Sequence, residues 1–214
     1  MQENIIKETW RDIESADNWI DFILPKRTSQ DFWDEGKAQA YEISNEYDYN
    51  NDIILDFGCG VGRVLKYLKA KEKHGADASA KFLRAIDKTE SDIVTHYSDG
   101  LNIIQDYDYF DFIYSLMVFQ HNEKRFHAQI LENLYKCLKP KGKIFIQFPQ
   151  KPNEYYKETT FVNLYTEEEL ISLFNSVGYE KISIKQGNLV GYGANGEYKP
   201  VGTLEYFVTA YKPN

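Results

Sequence analysis

The stretch Ile53-Ile54-Leu55-Asp56-Phe57-Gly58-Cys59-Gly60-Val61-Gly62-Arg63 decides how this chain is read. An apolar run over Ile53–Phe57 predicts a strand, three glycines at alternate positions predict a tight turn, and a helix is expected from about Arg63 to Lys69. Gly58, Gly60 and Gly62 permit positive φ and close approach of the backbone to a ligand, and a helix start behind them presents N–H donors. That is the layout of a nucleotide-cofactor loop. The hydride-transfer fingerprint G-x-G-x-x-G/A, counted from Gly58, puts Arg63 where the third small residue belongs, which disfavours a nicotinamide cofactor.

Outward from this turn, strand and helix patterns alternate, which argues for a parallel sheet covered on both faces. Further strands are expected around His74–Ala76, Ile93–Tyr97, Phe110–Tyr114 and Lys143–Phe148, with helices through Phe82, Leu83 and Ile86 and from Glu123 to Leu138. Lys139-Pro140-Lys141-Gly142 reads as a turn. Thr166, followed by Glu167–Glu169, caps a later helix that Gly178 ends. Strands Tyr179–Lys185 and Leu204–Tyr211 follow, joined by a glycine-rich loop. On the other side of the turn, Trp10, Ile13, Trp19, Phe22 and Ile23 give one helical pattern that Pro25 breaks, and Ser29 is placed to cap a second running toward Tyr47. We expect one domain over residues 1–214, with 1–50 as an N-terminal helical lid and 51–214 as the core.

Composition narrows the function. Of 214 residues, 33 are acidic and 25 basic, for a formal net charge of -8, so nucleic acid is not the expected partner. No run approaches the roughly 18 apolar residues of a spanning helix, and no secretory pattern opens the chain. A cytoplasmic protein without membrane insertion is expected, with Cys59 and Cys137 as reduced thiols. Neither cysteine has metal-ligand spacing, nor do His74, His96 and His127, and no metal is assigned.

Three acids stand at expected strand ends, Asp56, Asp77 and Asp99, where an open parallel sheet binds its ligand. Singly, each aspartate also suits helix capping or turn closure. In order with the glycine turn and the Lys139–Gly142 turn they form a pattern. The D-x-G-x-G-x-G run from Asp56 to Gly62, with Gly75-Ala76-Asp77-Ala78-Ser79, Phe110–Ser115 and Lys139–Gly142, resembles the class I S-adenosylmethionine-dependent methyltransferases over about residues 29 to 212.

The resemblance implies a Rossmann-like, doubly wound α/β sheet of seven strands, mostly parallel with an antiparallel last strand, plus N-terminal helices. It implies S-adenosylmethionine as cofactor and S-adenosylhomocysteine as product, held by Asp56, Gly58, Cys59, Gly60 and Arg63 in the turn and by Asp77 and Ala78 at the ribose. Ser98, Asp99 and Gly100 would lie at the adenine with Leu101 covering the base, and Ser115, Leu116 and Met117 would flank the methionine part. Phe32-Trp33-Asp34-Glu35-Gly36 is similar to an aromatic lid element of such enzymes, which adds Trp33 to the cofactor set, while packing onto the core is the plainer reading of these aromatics.

Methyl transfer needs chiefly a positioned acceptor and excluded water. His121, just past the fourth strand, titrates in the useful range for a base, and it also suits a helix cap. Tyr155, Tyr156, Phe161 and Tyr165, with Tyr192 and Tyr198, read either as an acceptor pocket or as cover for the sheet edge. Ser115-Leu116-Met117-Val118 is not the N-P-P-Y stretch of adenine-amino methyltransferases. The expectation is transfer to oxygen or nitrogen of a small-molecule acceptor. The rivals are a partner subunit that keeps cofactor binding without catalysis and a nicotinamide oxidoreductase on a similar sheet.

Overall fold

The computed structural model describes residues 28–102, 104–151, 163–192 and 198–214, with backbone alone for 188–192 and 198–204. The expected first helix around Trp10 to Ile23 lies outside these residues, as do Tyr155, Tyr156, Phe161 and the side chains of Tyr192 and Tyr198. Helix α1 is Ser29–Glu46. Its cap is Thr28 and not Ser29. A capping box needs an acid three residues after the cap, and Asp31 meets that for Thr28: Thr28 Oγ1 accepts from the Asp31 N–H and the Asp31 carboxylate accepts from the Thr28 N–H, each at 3.1 Å.

Strands β1 (Ile53–Phe57), β2 (Glu72–Asp77), β3 (Ile93–Tyr97), β4 (Phe110–Ser115), β5 (Leu138–Pro149), β6 (Glu180–Tyr192) and β7 (Tyr198–Tyr211) form a seven-stranded sheet in the order β3-β2-β1-β4-β5-β7-β6. The first five run parallel, and β7 is antiparallel to both β5 and β6. This is the expected fold, with longer β6 and β7. Helices α2 (Ala80–Thr89), α3 (Lys124–Cys137) and α4 (Glu167–Val177) complete the described elements. Thr166 caps α4 with a capping box to Glu169, and Gly178 ends it at φ 103.

Side-chain alternation gives the sheet two buried faces. On one, Leu55, Ile113, Ile144 and Ile146 pack with Ile130, Leu131 and Leu134 of α3 and Phe174 of α4. On the other, Ile54, Phe112, Tyr114 and Phe145 pack with Ala40 and Ile43 of α1 and with Leu83 and Ile86 of α2.

Two expectations change. The segment after the glycines is a short 3-10 turn, Leu65–Tyr67, and not an α-helix over Arg63–Lys69. Its bonds run from the Tyr67 N–H to the Val64 carbonyl and from the Leu68 N–H to the Leu65 carbonyl. Leu68 leaves the turn in an extended conformation, and the N–H groups of Lys71 and Glu72 both donate to the Asp52 carbonyl, so the chain is committed to entering β2 before an α-helix could run through Lys69. Second, Lys139–Gly142 lies within β5 as a bulge: Leu138 pairs with Phe110 and Lys143 with Phe112, so the intervening residues bow out, with Lys141 at φ 65.

Candidate active site at the carboxyl edge

Parallel strands bring their carboxyl ends to one edge, so Phe57, Asp77, Tyr97 and Ser115 and the loops after them are neighbours. Gly58, Gly60 and Gly62 all have positive φ, 81, 54 and 75, as the alternate glycines predict. The turn is held from inside: the N–H groups of Gly58 and Cys59 both donate to the Ala76 carbonyl, at 2.7 and 3.0 Å, and the Gly62 N–H donates to the Cys59 carbonyl. These donors are therefore spent on the protein, and with no α-helix behind the turn the expected helix N-terminus is absent there.

Asp77 is the hub. Its Oδ2 accepts from the Gly60 N–H and its Oδ1 from the Ser79 N–H, both at 2.8 Å. Burial pushes its carboxyl up, and the N–H groups of Ser79, Gly60 and Ala78 pull it back. At Gly60 a Cβ would meet nothing within 4 Å, so the turn presents open backbone there. A nucleotide-type cofactor fits this arrangement: a bare backbone cradle with a carboxylate directly beside it.

Asp56 is buried beneath. Tyr114 Oη donates to its Oδ2 at 2.8 Å. Burial is the main cause that raises the Asp56 carboxyl to about 7, with the Tyr114 bond and Arg63 opposing and Asp77 adding to it. Arg63 turns toward α1, with Nη2 donating to Gln39 Oε1 at 2.9 Å, Nη1 3.8 Å from Glu35 Oε2, and the guanidinium over the Phe32 ring. Burial lowers it to about 10, against Glu35 and Asp56. Trp33 lies edge-on to Phe32 with Lys66 Nζ over its ring at 5.0 Å, behind the turn. Cys59 is buried and its thiol is raised well above the ordinary value, so it packs as a neutral group.

After β3, Ser98 Oγ accepts from the Gly100 N–H and Asp99 Oδ1 from the Leu101 N–H, both at 3.0 Å, which folds the loop back on itself. Gly100 has φ 80, and a Cβ there would strike Phe57 Cζ at 2.7 Å. After β4, buried Ser115 donates to the Phe57 carbonyl at 2.7 Å. Leu116 is half-buried, and Met117 has φ 59 with its N–H donating to Gln147 Oε1 at 2.6 Å. His121 ends a 3-10 turn, Phe119–His121, at the same edge. Nearby His127 is buried, with Nε2 3.0 Å from the Asn122 carbonyl and Nδ1 against the Tyr165 hydroxyl, and burial lowers it to about 4.

The structure thus gathers the turn, Asp56, Asp77 and the Ser98–Gly100 and Ser115–Met117 loops along one edge. Sequence reading missed Tyr114, Gln147 and Glu205. The signal was there: Gln147 and Glu205 interrupt apolar strand runs, and both are fully buried, with Gln147 Nε2 donating to Glu205 Oε2 at 2.6 Å. Among the described residues no group of three potential ligands could hold a metal ion, and no helix is long and apolar enough to cross a membrane.

Comparison with known proteins extends this geometry. The methyltransferase domain family matches residues 13–184. A tRNA (guanine-N(7)-)-methyltransferase of Clostridium botulinum is 26% identical over 161 residues, covering 62% of this chain and 74% of that protein. An S-adenosylmethionine-dependent methyltransferase from Archaeoglobus fulgidus shares the fold at a TM-score of 0.67 and 18% identity, over 92% of this chain and 100% of that one. A Thermotoga maritima methyltransferase, described as a possible histamine N-methyltransferase, aligns at a TM-score of 0.64 and 14% identity, over 86% and 90% of the two chains. With the glycine turn, the strand order and a match over most of its length, the chain belongs to the methyltransferase domain family and is an S-adenosylmethionine-dependent enzyme.

Proposed function

We propose that this enzyme methylates an oxygen or nitrogen of a small-molecule acceptor. The observation that carries the reading is the open backbone at Gly60 braced by Asp77 at the carboxyl edge, a cradle for an adenosine-bearing cofactor. When bound, S-adenosylmethionine supplies an activated methyl group. The chain's own part is to hold and to exclude water. Asp77 with Ala78 takes the ribose hydroxyls, Asp99 with Ser98 and Gly100 the adenine, and Gly58, Cys59 and Gly60 the backbone side of the methionine part. Leu116 and Met117 flank that part with Ser115 behind them, and Asp56 and Arg63 set the charge beneath it. His121 takes the acceptor's proton. His121→Ala is expected to cut turnover while leaving S-adenosylhomocysteine affinity unchanged, and normal turnover would remove the base role.

A net charge of -8 supports a small acceptor over a polyanion. The Clostridium relative favours the alternative, a tRNA guanine. One experiment separates them: radiolabelled S-adenosylmethionine is offered to the enzyme with bulk tRNA and, separately, with a set of small amines and phenols. Label entering the small-molecule fraction alone supports the proposal. Label entering tRNA alone overturns it.

A further inference from the structure

Gln147 and Glu205 are fully buried polar residues on the α1 face of the sheet. Their neighbours two residues away on the same strands and face, Phe145 and Phe207, stack at 5.7 Å as an apolar pair. Register locates them. Asp56 pairs with Tyr114 and Ser115 with Ile146, so the same register carried two residues past Asp56 and one past Ser115 sets Gly58, Leu116 and Gln147 in a row. At a strand spacing of about 4.8 Å, Gln147 is one strand beyond Leu116 and two beyond the glycine turn. The glycine turn and the loop after β4 also lie in close contact, since a Cβ on Gly58 would lie 2.1 Å from Val118 Cγ2.

The Gln147 amide can be oriented in one way only. Its Oε1 must face the Met117 N–H, an obligate donor, and its Nε2 then donates to Glu205 Oε2. Glu205 Oε2 supplies the acceptor that Nε2 needs in that orientation, and both groups are shut off from water, which would otherwise compete for the bond. The consequence falls on the peptide between Leu116 and Met117. In a planar trans peptide the carbonyl points opposite to the N–H. With the N–H drawn toward β5, the Leu116 carbonyl points toward β1 and the glycine turn. Met117 has φ 59, a conformation that a methionine adopts only when its surroundings hold it there.

We infer that Glu205 is a positioning residue: acting through Gln147, it locks the Leu116–Met117 peptide so that the Leu116 carbonyl faces the methionine end of the cofactor site as an acceptor for an ammonium group. This rests on the S-adenosylmethionine reading above. It assigns no contact between Glu205 and any ligand.

The test is calorimetric binding of two probes, S-adenosylhomocysteine, which carries the amino-acid ammonium, and 5′-methylthioadenosine, which shares the adenosine half and lacks it. Glu205→Leu is expected to weaken S-adenosylhomocysteine about tenfold or more and to leave methylthioadenosine unchanged. Gln147→Leu should reproduce the pattern and carries the test if leucine at 205 unfolds the chain. Glu205→Gln keeps an oxygen to accept from Gln147 and should bind nearly as the parent does. Equal losses for both probes, no loss in either leucine variant, or a glutamine variant as defective as the leucine one overturns the inference. A parent protein that binds neither probe refutes the cofactor reading itself, which is a different outcome.

Discussion

Replacing Gly36 by alanine sets two physical effects against each other. Gly36 lies inside α1, and in an ordinary helix the change to alanine stabilises by about 1 kcal/mol. Here the new Cβ would sit 2.3 Å from the Arg63 carbonyl oxygen, 2.4 Å from Arg63 Cγ and 2.9 Å from the Arg63 carbonyl carbon. Two of those atoms are backbone of the segment that follows the glycine turn, so no rotamer change relieves the contact. Ordinary contact needs roughly 3.5 Å, and α1 and the turn must separate by about 1 Å. That separation stretches the Arg63 bond to Gln39 and its approach to Glu35. Overpacking of this kind costs about 1–3 kcal/mol, which outweighs or at least cancels the helix gain. The expected result is a Tm lower by several degrees, at roughly 2–4 °C per kcal/mol for a chain of this size, with weaker S-adenosylhomocysteine binding because the turn has moved. Differential scanning calorimetry and a binding titration on the same preparation read both. A rise in Tm would show that helix propensity decides and that α1 is not seated on the turn.

Three further outcomes follow from the same edge. Gly58→Ala places a Cβ against Val118 at φ 81 and should destabilise more than Gly60→Ala, where φ alone is strained; adding Val118→Ala should recover part of the Gly58→Ala loss in thermal melts, and no recovery would refute the contact. Asp77→Ala should abolish S-adenosylhomocysteine binding in titration and also lower Tm, because the carboxylate braces the Gly60 and Ser79 N–H groups; retained affinity in a folded variant sinks the ribose role. Asp56, raised to about 7 when folded, holds its proton in the native state after the unfolded chain has lost it, so its contribution to stability falls as pH rises from about 4 to 7 and is level above that. In denaturant unfolding, Asp56→Asn should therefore gain on the parent between pH 5 and pH 8, and an unchanged difference would refute the shifted carboxyl.

What was legible in the sequence was local. Strand ends at Phe57, Asp77 and Tyr97 follow from short strand-like runs closed by a glycine, an acid or a turn residue, and the Thr166 cap and Gly178 stop each depend on a few neighbouring positions. The seven-stranded sheet with one antiparallel strand came through the resemblance of ordered motifs. The 3-10 turn at Leu65–Tyr67 was illegible because the chain is tied into β2 by the bonds of Lys71 and Glu72 to Asp52, a tertiary constraint that overrides helix propensity. The partners of the site residues were hidden for the same reason: Tyr114 reaches Asp56, and Glu205 reaches Gln147, each across 58 positions. Arg63 was read toward the cofactor, and its bond to Gln39 in α1 lies 24 positions away.

The strand order leaves β3 and β6 as the sheet's outer strands, and an outer strand is a template on which another chain can add. Both are poor templates here. β3 has five residues, and its Thr95 hydroxyl is tied to Asp87. β6 is long, yet its register breaks between Glu180 and Ser183, where Lys181 takes φ 51, and again between Asn188 and Val190. Lys185 adds a charge on this strand, paired with Glu46 at the end of α1. Such breaks twist an edge away from the flat ribbon that an incoming strand must match. The sheet is thereby guarded against growing by strand addition, so variants that straighten the Lys181 bulge are where self-association would begin.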